Sequence, residues 1–322
     1  MIDDISWRPT ASIETIKARS ALYQQIRAFF MERGVLEVET PVLAPCGVTE
    51  PHIANLTVTC AAVSSTFRTQ YLQTSPEYAM KRLIAGGVGD CFEITKVFRD
   101  DGVSKRHNPE FTLLEWYRLG FTDADLMEEI VSLLNKLVSF SGVRKVTYQQ
   151  AFLETLGLCP LTCSSSDLVH SFEAEGLDCR VVMDDRNSLL DLAMSLLVEP
   201  SFPHGDLTFV TEYPSNQAAL ARVCEHDSRV AHRFEVFLGG LELANGYWEL
   251  SDAAEQRRRF EADNKRRIEL GLPEVPVDEE FLAALGEGLP DCAGVAMGLD
   301  RLLMLSLGRS NIKDVLAFPA SV

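Results

Sequence analysis

The sequence has 322 residues, which is enough for one large domain or two small ones with a sizeable core. Hydrophobic residues make up 46 % and charged residues 24 %, the balance of an ordinary globular protein. The formal net charge of -17 disfavours non-specific nucleic-acid binding, because an acidic surface repels phosphate backbones.

Targeting and redox features predict a cytoplasmic protein. The N-terminal residues MIDDISWRPT are acidic and lack the apolar core of a signal peptide. No apolar run approaches the ~18 residues that a membrane span requires. The eight cysteines include no C-x-x-C pair, so we expect reduced thiols.

The first elements in chain order are a helix and an extended segment. Apolar residues of SIETIKARSALYQQIRAFFMERG fall on one helical face, and Gly34 ends that pattern. VLEVETPVL then predicts an extended strand, whose second half Pro41 restricts to an edge or an interface. SPEYAMKRLIAGG predicts a short helix with Pro76 near its start.

Two hairpins are the strongest strand signals. CFEITKVFR and EFTLLEWYR both alternate in polarity, which predicts an antiparallel hairpin with a long loop. A second hairpin is predicted in RFEVFLGGLELANGYWEL, turning at Gly239 and Gly240.

The remaining chain predicts helices between these strands. Residues 121–205 are expected to be mostly helical, beginning with the amphipathic DADLMEEIVSLLNKLVSF, and LTFVTEYP follows as a strand. DAAEQRRRFEADNKRRIELG predicts a charged helix, and GVAMGLDRLLMLSLG a glycine-bearing approach to a last helix. We therefore predict an α+β fold, an antiparallel sheet flanked by helices, as a single domain over residues 1–322 with a mostly helical insertion at about 121–205.

The second hairpin carries a candidate metal site. A two-residue turn pairs Phe237 with Glu242 and puts Glu235 on the same face, diagonal to Glu242. Two such carboxylates fit Mg²⁺ with substrate phosphates, or else form a solvated face. Farther along, Asn245, Tyr247 and Glu249 share one face, which has the opposite parity to Glu242 unless a bulge intervenes near Gly246.

The first hairpin and the last helix carry candidate anion-binding groups. Arg99 ends one strand, and Arg106 and His107 begin the return; an arginine fork matches a phosphate or a carboxylate. Phe111 offers a flat apolar surface on which a base could stack. Gly298 and Arg301 at a helix start also favour anions.

Taken together, these segments resemble the class II aminoacyl-tRNA synthetases in their lysyl form. FRDDGVSKRHNPEFTLLEWY resembles motif 2, GVAMGLDRLLML motif 3 and ERGVLEVETPVL the dimer-forming motif 1. TSPEYAMKRLIAGG and ELANGYWEL resemble the amino-acid-binding segments. The resemblance runs in one order from about residue 12 to the C-terminus.

The resemblance implies a role for each matching residue. Arg99 and Arg301 would be catalytic, stabilising charge on the phosphoryl oxygens, and Asp101 stands where the family often has glutamate. Mg²⁺ would be held by Glu235 and Glu242. ATP would contact Arg99, Asp100, Asp101, His107, Asn108, Phe111, Glu242, Leu243, Gly298 and Arg301. The amino acid would contact Ser75, Pro76, Glu77, Glu115, Tyr117, Asn245, Tyr247, Glu249 and Ala296.

Two departures from the lysyl enzymes refine the expected function. The sequence begins almost at the catalytic segment, so we expect no N-terminal anticodon-binding domain, and Ala296 replaces a motif 3 glycine. Both features are similar to the lysyl-synthetase paralogues that attach (R)-β-lysine to elongation factor P. The resemblance then implies a homodimeric, ATP-dependent ligase that acts on β-lysine and elongation factor P, with tRNA an improbable partner. The alternatives are a free-standing enzyme that charges tRNA and a regulatory paralogue without activity.

Overall fold

The computed structural model describes residues 7–61, 69–182 and 185–320, so the acidic residues 1–6 lie outside it. The helices are α1 (Ile13–Met31), α2 (Glu77–Ala85), α3 (Asp123–Leu137), α4 (Tyr148–Leu156), α5 (Ser165–Ala174), α6 (Arg186–Ala193), α7 (Ala253–Glu269), α8 (Glu279–Gly288) and α9 (Leu299–Ser306). The strands are β1 (Leu36–Glu37), β2 (Leu43–Ala44), β3 (Thr57–Thr59), β4 (Thr69–Leu72), β5 (Cys91–Phe98), β6 (Glu110–Leu119), β7 (Val143–Thr147), β8 (Leu207–Pro214), β9 (Val230–Leu238), β10 (Leu241–Trp248) and β11 (Cys292–Gly298).

One eight-stranded sheet, ordered β1-β5-β6-β11-β10-β9-β8-β7, forms the centre of the molecule. Its six inner strands are antiparallel, and only the edge pairs β1–β5 and β7–β8 are parallel. Both predicted hairpins are present, and the second turns at Gly239 and Gly240, whose positive φ angles suit a type I′ turn. The predicted α+β fold on an antiparallel sheet is confirmed.

One local prediction is wrong. The segment 35–43 is not one strand, because only Leu36–Glu37 and Leu43–Ala44 pair, in two different sheets. Thr40 between them instead donates from its amide and its hydroxyl to the buried carboxylate of Glu93, at 3.1 and 2.8 Å. The glycine-bearing approach to the last helix is strand β11, and the stretch 121–205 is mostly helical as predicted, with the one short strand β7.

The two faces of the sheet have different partners. One face buries Phe92, Leu114, Trp116, Phe234 and Val295 against α1, α3 and α9 in the main core. A second core lies between β8 and the helices α4, α5 and α6. The opposite face of β6, β9, β10 and β11 lines a cavity, which is described below.

Two further findings bear on the class of protein. No helix in the described ranges has both the length and the apolarity that a bilayer crossing requires. All eight cysteines have free thiols.

Asp300 at the start of α9 ties three elements together. Its side chain is buried; Oδ2 accepts a hydrogen bond from the backbone N–H of Thr112 at 2.8 Å, and Oδ1 lies 2.6 Å from the Arg19 guanidinium. These contacts fix the first turn of α9, and with it Arg301, against β6 and α1.

We predict that Asp300→Ala destabilises the fold by about 3 kcal/mol, because it leaves the partly buried Arg19 charge without its carboxylate. Urea unfolding followed by circular dichroism measures the change. The control is Asp178→Ala, which removes an exposed Asp178–Arg180 ion pair and should leave the midpoint unchanged. Equal midpoints for the two variants would contradict the role given to Asp300.

Candidate active site

A bulge at Leu243 brings the two sets of predicted polar residues onto one face. In the β9–β10 pair, Glu242 is opposite Phe237 but Ala244 is opposite Val236, so one extra residue lies between them. The extra residue reverses the parity that simple alternation would give. Glu242 and Asn245 therefore face the same side, and Asn245 lies directly opposite Glu235.

The neighbouring strands extend this face across the sheet. Asn245 pairs with Ala296 and Tyr247 with Gly294, while Ala296 in turn pairs with Glu115. A cavity of about 910 Å³ opens on this face. Every predicted site residue except Asp100 lines it. Asp100 and Asp101 are both exposed, but only Asp101 lies on the cavity wall.

One end of the cavity is a cluster of buried carboxylates around a lysine. Lys81 Nζ lies 2.6 Å from Glu77 Oε1 and 2.5 Å from Glu249 Oε2. Glu115 accepts hydrogen bonds from the hydroxyls of Ser75 at 3.0 Å and Tyr117 at 2.6 Å. Three carboxylates and one ammonium thus meet at this end.

Burial controls the protonation of this cluster. Burial, together with repulsion from Glu77, raises the pKa of Glu115 to about 8. Burial also raises the pKa of Glu249 to about 8, although Lys81 opposes the rise. Burial alone would lower the pKa of Lys81, but Glu249 and Glu77 raise it instead. An incoming cation would favour the ionised carboxylates.

Two acceptor atoms at this end have no hydrogen-bond partner. Glu249 Oε1 and Asn245 Oδ1 are both buried and unpaired, while the Asn245 amide donates to the Tyr247 hydroxyl at 3.2 Å. Gly294 keeps the space open, since a Cβ there would lie 2.3 Å from the Tyr117 ring and 2.6 Å from Glu249 Oε1. This end can therefore accept hydrogen bonds from an ammonium group.

The other end of the cavity is cationic. The Arg301 guanidinium donates to the Glu242 carbonyl at 2.9 Å and to His107 Nε2 at 2.9 Å. Burial first, and then the charge of Arg301, lower the pKa of His107, which fits a neutral imidazole that accepts this bond. Arg99 is half-buried, and its guanidinium carbon lies 5.4 Å from the centroid of the Phe111 ring. Its Nε is buried and has no hydrogen-bond partner. Two arginines on distant segments thus converge where an anion would bind.

The predicted metal ligands fit Mg²⁺ only together with a phosphate-bearing ligand. Glu235 already accepts from Tyr213 at 2.5 Å and Arg233 at 2.7 Å, and Glu242 is partly exposed. Among the described residues, no group of three or more His, Cys, Asp or Glu side chains could hold a metal ion. Burial and repulsion from Glu242 raise the pKa of Glu235 to about 7, so a cation between the two carboxylates would favour their ionisation.

Lys81 and Arg233 were missed by the sequence analysis. The signal that could have found Lys81 is its position four residues after Glu77, which predicts an i,i+4 contact on α2. Arg233 supports Glu235 from the same strand face.

Two residues that the sequence did name have contacts that it did not predict. Arg106, an anion-binding candidate, lines the cavity and pairs with Glu199, 3.2 Å away in the predicted insertion. Asn108 lines the cavity, but its amide bonds to Glu110 and Ala320.

Comparisons with known proteins agree with the motifs. The family described as "tRNA synthetases class II (D, K and N)" matches residues 4–322. A protein of Vibrio cholerae serotype O1 named "Elongation factor P--(R)-beta-lysine ligase" is 45 % identical, covering 97 % of both chains. Proteins with the same name from Vibrio vulnificus and Sodalis glossinidius are 46 % and 43 % identical, covering 97 % and 99 % of this chain and 98 % of each relative.

Proposed function

The chain belongs to the class II tRNA synthetase family (D, K and N), and from this premise we propose that it is an ATP-dependent ligase that modifies elongation factor P. In this proposal it activates (R)-β-lysine as the adenylate, and a lysine ε-amine of elongation factor P then attacks the acyl carbon, forming an amide and releasing AMP. The observation that carries the proposal is a single cavity with a carboxylate end and an arginine end. The shared name of the relatives supports the choice of substrates.

The arginine end suits the triphosphate of ATP as substrate. The amino-acid carboxylate attacks the α-phosphorus in line, and pyrophosphate leaves. Arg99 and Arg301 would neutralise charge that develops on the phosphoryl oxygens, which preorganised cations do without reorganisation. Phe111 beside Arg99 would stack on the adenine. Mg²⁺ held by Glu242 and Glu235 would supply further charge neutralisation at the phosphates.

The carboxylate end suits the two ammonium groups of β-lysine. Glu249 Oε1 and Asn245 Oδ1 are acceptors without donors, so each would gain a hydrogen bond from a bound ammonium. Glu115 and Ser75 would hold the second ammonium near the reacting carboxylate. Catalysis is then largely positioning of the carboxylate against the α-phosphate.

The proposal places the reaction in the cytoplasm, where the eight free thiols would stay reduced. A direct assay incubates the protein with ATP, a panel of lysine isomers and either elongation factor P or tRNA, and weighs the products. We expect elongation factor P to gain one lysyl residue from (R)-β-lysine and tRNA to remain uncharged. Charged tRNA with unmodified elongation factor P would reject the proposal.

We predict that Arg301→Ala lowers ATP–pyrophosphate exchange by at least ~100-fold while the fold remains intact, because the triphosphate loses a preorganised cation. Isotope exchange measures the rate, and circular dichroism checks the fold. Arg258→Ala, which removes an exposed arginine of α7, is the matched control. Near-normal exchange in Arg301→Ala would remove this residue from the mechanism.

We predict that Ala296→Gly raises kcat/KM for α-lysine relative to that for (R)-β-lysine by about tenfold. Discrimination of this size is typical of one small apolar group in a binding pocket. Ala296 lies between Asn245 and Glu115 on the cavity wall, so its methyl group limits the room beside the substrate. Ala293→Gly on the buried side of the same strand is the control and should leave the ratio unchanged. An unchanged ratio in Ala296→Gly would mean that the methyl group does not contact the substrate.

A homodimer through residues ~33–45 is part of the proposal. Leu36 and Leu43 in this segment are exposed, as is Met31 just before it. Light scattering should therefore give twice the mass of one chain, and Leu43→Glu should shift it toward the monomer. Leu196→Glu, at an equally exposed leucine elsewhere, is the control. A monomeric wild-type protein would contradict the proposed interface.

A further inference from the structure

Lys81 is a fully buried lysine whose role is not explained by the reaction as proposed so far. Its side chain is 1 % exposed, and buried lysines are rare unless they are paired. Helix α2 places Glu77 one turn before Lys81, and Glu249 reaches the same ammonium from the end of β10. Two carboxylates, one from α2 and one that follows β10, thus contact the same buried ammonium.

The charges around Lys81 leave a defined excess. Glu77, Glu115 and Glu249 contribute three negative charges when ionised, and Lys81 contributes one positive charge. Arg222 lies nearby, but it donates to the backbone carbonyl of Glu249 and pairs with Asp291. With all three carboxylates ionised, this end carries two net negative charges, which the two ammonium groups of a diamino acyl group would balance. Because the pKa of both Glu115 and Glu249 is about 8, the bound ammonium groups would themselves favour this ionised state.

Lys81 also determines which atoms remain free. It occupies Glu249 Oε2 and leaves Oε1 as a buried acceptor without a partner. Without Lys81, Glu77 and Glu249 would face each other with no cation between them, and two such carboxylates cannot both ionise in a buried site. A substrate ammonium would then be drawn into the vacated position between them.

We propose that Lys81 is a positioning residue for a diammonium substrate. Its tethered ammonium fills the innermost cation position between Glu77 and Glu249. The substrate ammonium must therefore stop at Glu249 Oε1 and Asn245 Oδ1, which keeps the substrate carboxylate at the phosphate end. This inference rests on the proposed function, because it concerns how the same cavity orients its amino acid.

Two substitutions separate charge from volume. Lys81→Ala empties the cation position, so (R)-β-lysine should bind too deeply: kcat for pyrophosphate exchange should fall by about 100-fold while KM for (R)-β-lysine does not rise. Lys81→Met fills the volume without charge and should also lose activity. Lys136→Ala removes a surface lysine and is the control, with unchanged kinetics.

Chemical rescue tests whether a free ammonium ion can replace the side-chain ammonium of Lys81. Butylammonium ion added to Lys81→Ala should restore kcat at least tenfold, since it can refill the position with charge. Butanol of similar size should not restore it, and neither compound should restore Lys81→Met, whose side chain blocks the position. Circular dichroism of each variant verifies the fold. If Lys81→Ala does not fold, Lys81→Met decides the inference: kcat should fall with no rise in KM for (R)-β-lysine, and unchanged kcat would overturn it.

Three results would overturn the inference: equal rescue by butanol, no rescue of folded Lys81→Ala, or a rise in KM with unchanged kcat. If the wild-type protein activates a different amino acid, the proposed substrate fails, while the rescue pattern with that amino acid still decides the role of Lys81. A wild-type protein that activates no amino acid would contradict both proposals.

Discussion

Several carboxylates share one buried face of an antiparallel sheet, and the rest of the site depends on how their charge is compensated. Buried carboxylates repel one another and tend to take up protons unless cations lie between them. The chain supplies Lys81 for Glu77 and Glu249, and Arg233 for Glu235. The negative charge that these cations do not balance can bind a cationic group of a ligand at the carboxylate end of the cavity.

At the cationic end, too, the charge is only partly balanced within the protein. Arg99 and Arg301 are held by backbone carbonyls, by His107 and by an aromatic face, and only Glu242 offers Arg301 a carboxylate. Their positive charge is thus incompletely neutralised within the protein. An anionic ligand can neutralise the remaining positive charge. A cavity that is negative at one end and positive at the other fits an amino acid with ammonium groups next to a triphosphate.

The sequence predicted the elements of this site better than their relative placement. Alternating polarity located both hairpins, because each strand has one apolar core face and one polar cavity face. The bulge was suspected near Gly246, but it lies at Leu243, where no glycine signals it. Asp100 and Asp101 are adjacent and alike in sequence, so only the fold shows that Asp101 lines the cavity and Asp100 does not. The contact between Arg106 and Glu199 joins segments 93 residues apart, beyond the reach of any local pattern.

The central claim is that one cavity binds the amino acid at its carboxylate end and the nucleotide at its arginine end. A crystal structure with (R)-β-lysine and a non-hydrolysable ATP analogue tests it most directly. We expect an ammonium group at Glu249 Oε1 and Asn245 Oδ1, and the triphosphate between Arg99 and Arg301 beside Glu242. A nucleotide bound elsewhere, with Arg301 and Glu242 turned away from it, would contradict the account.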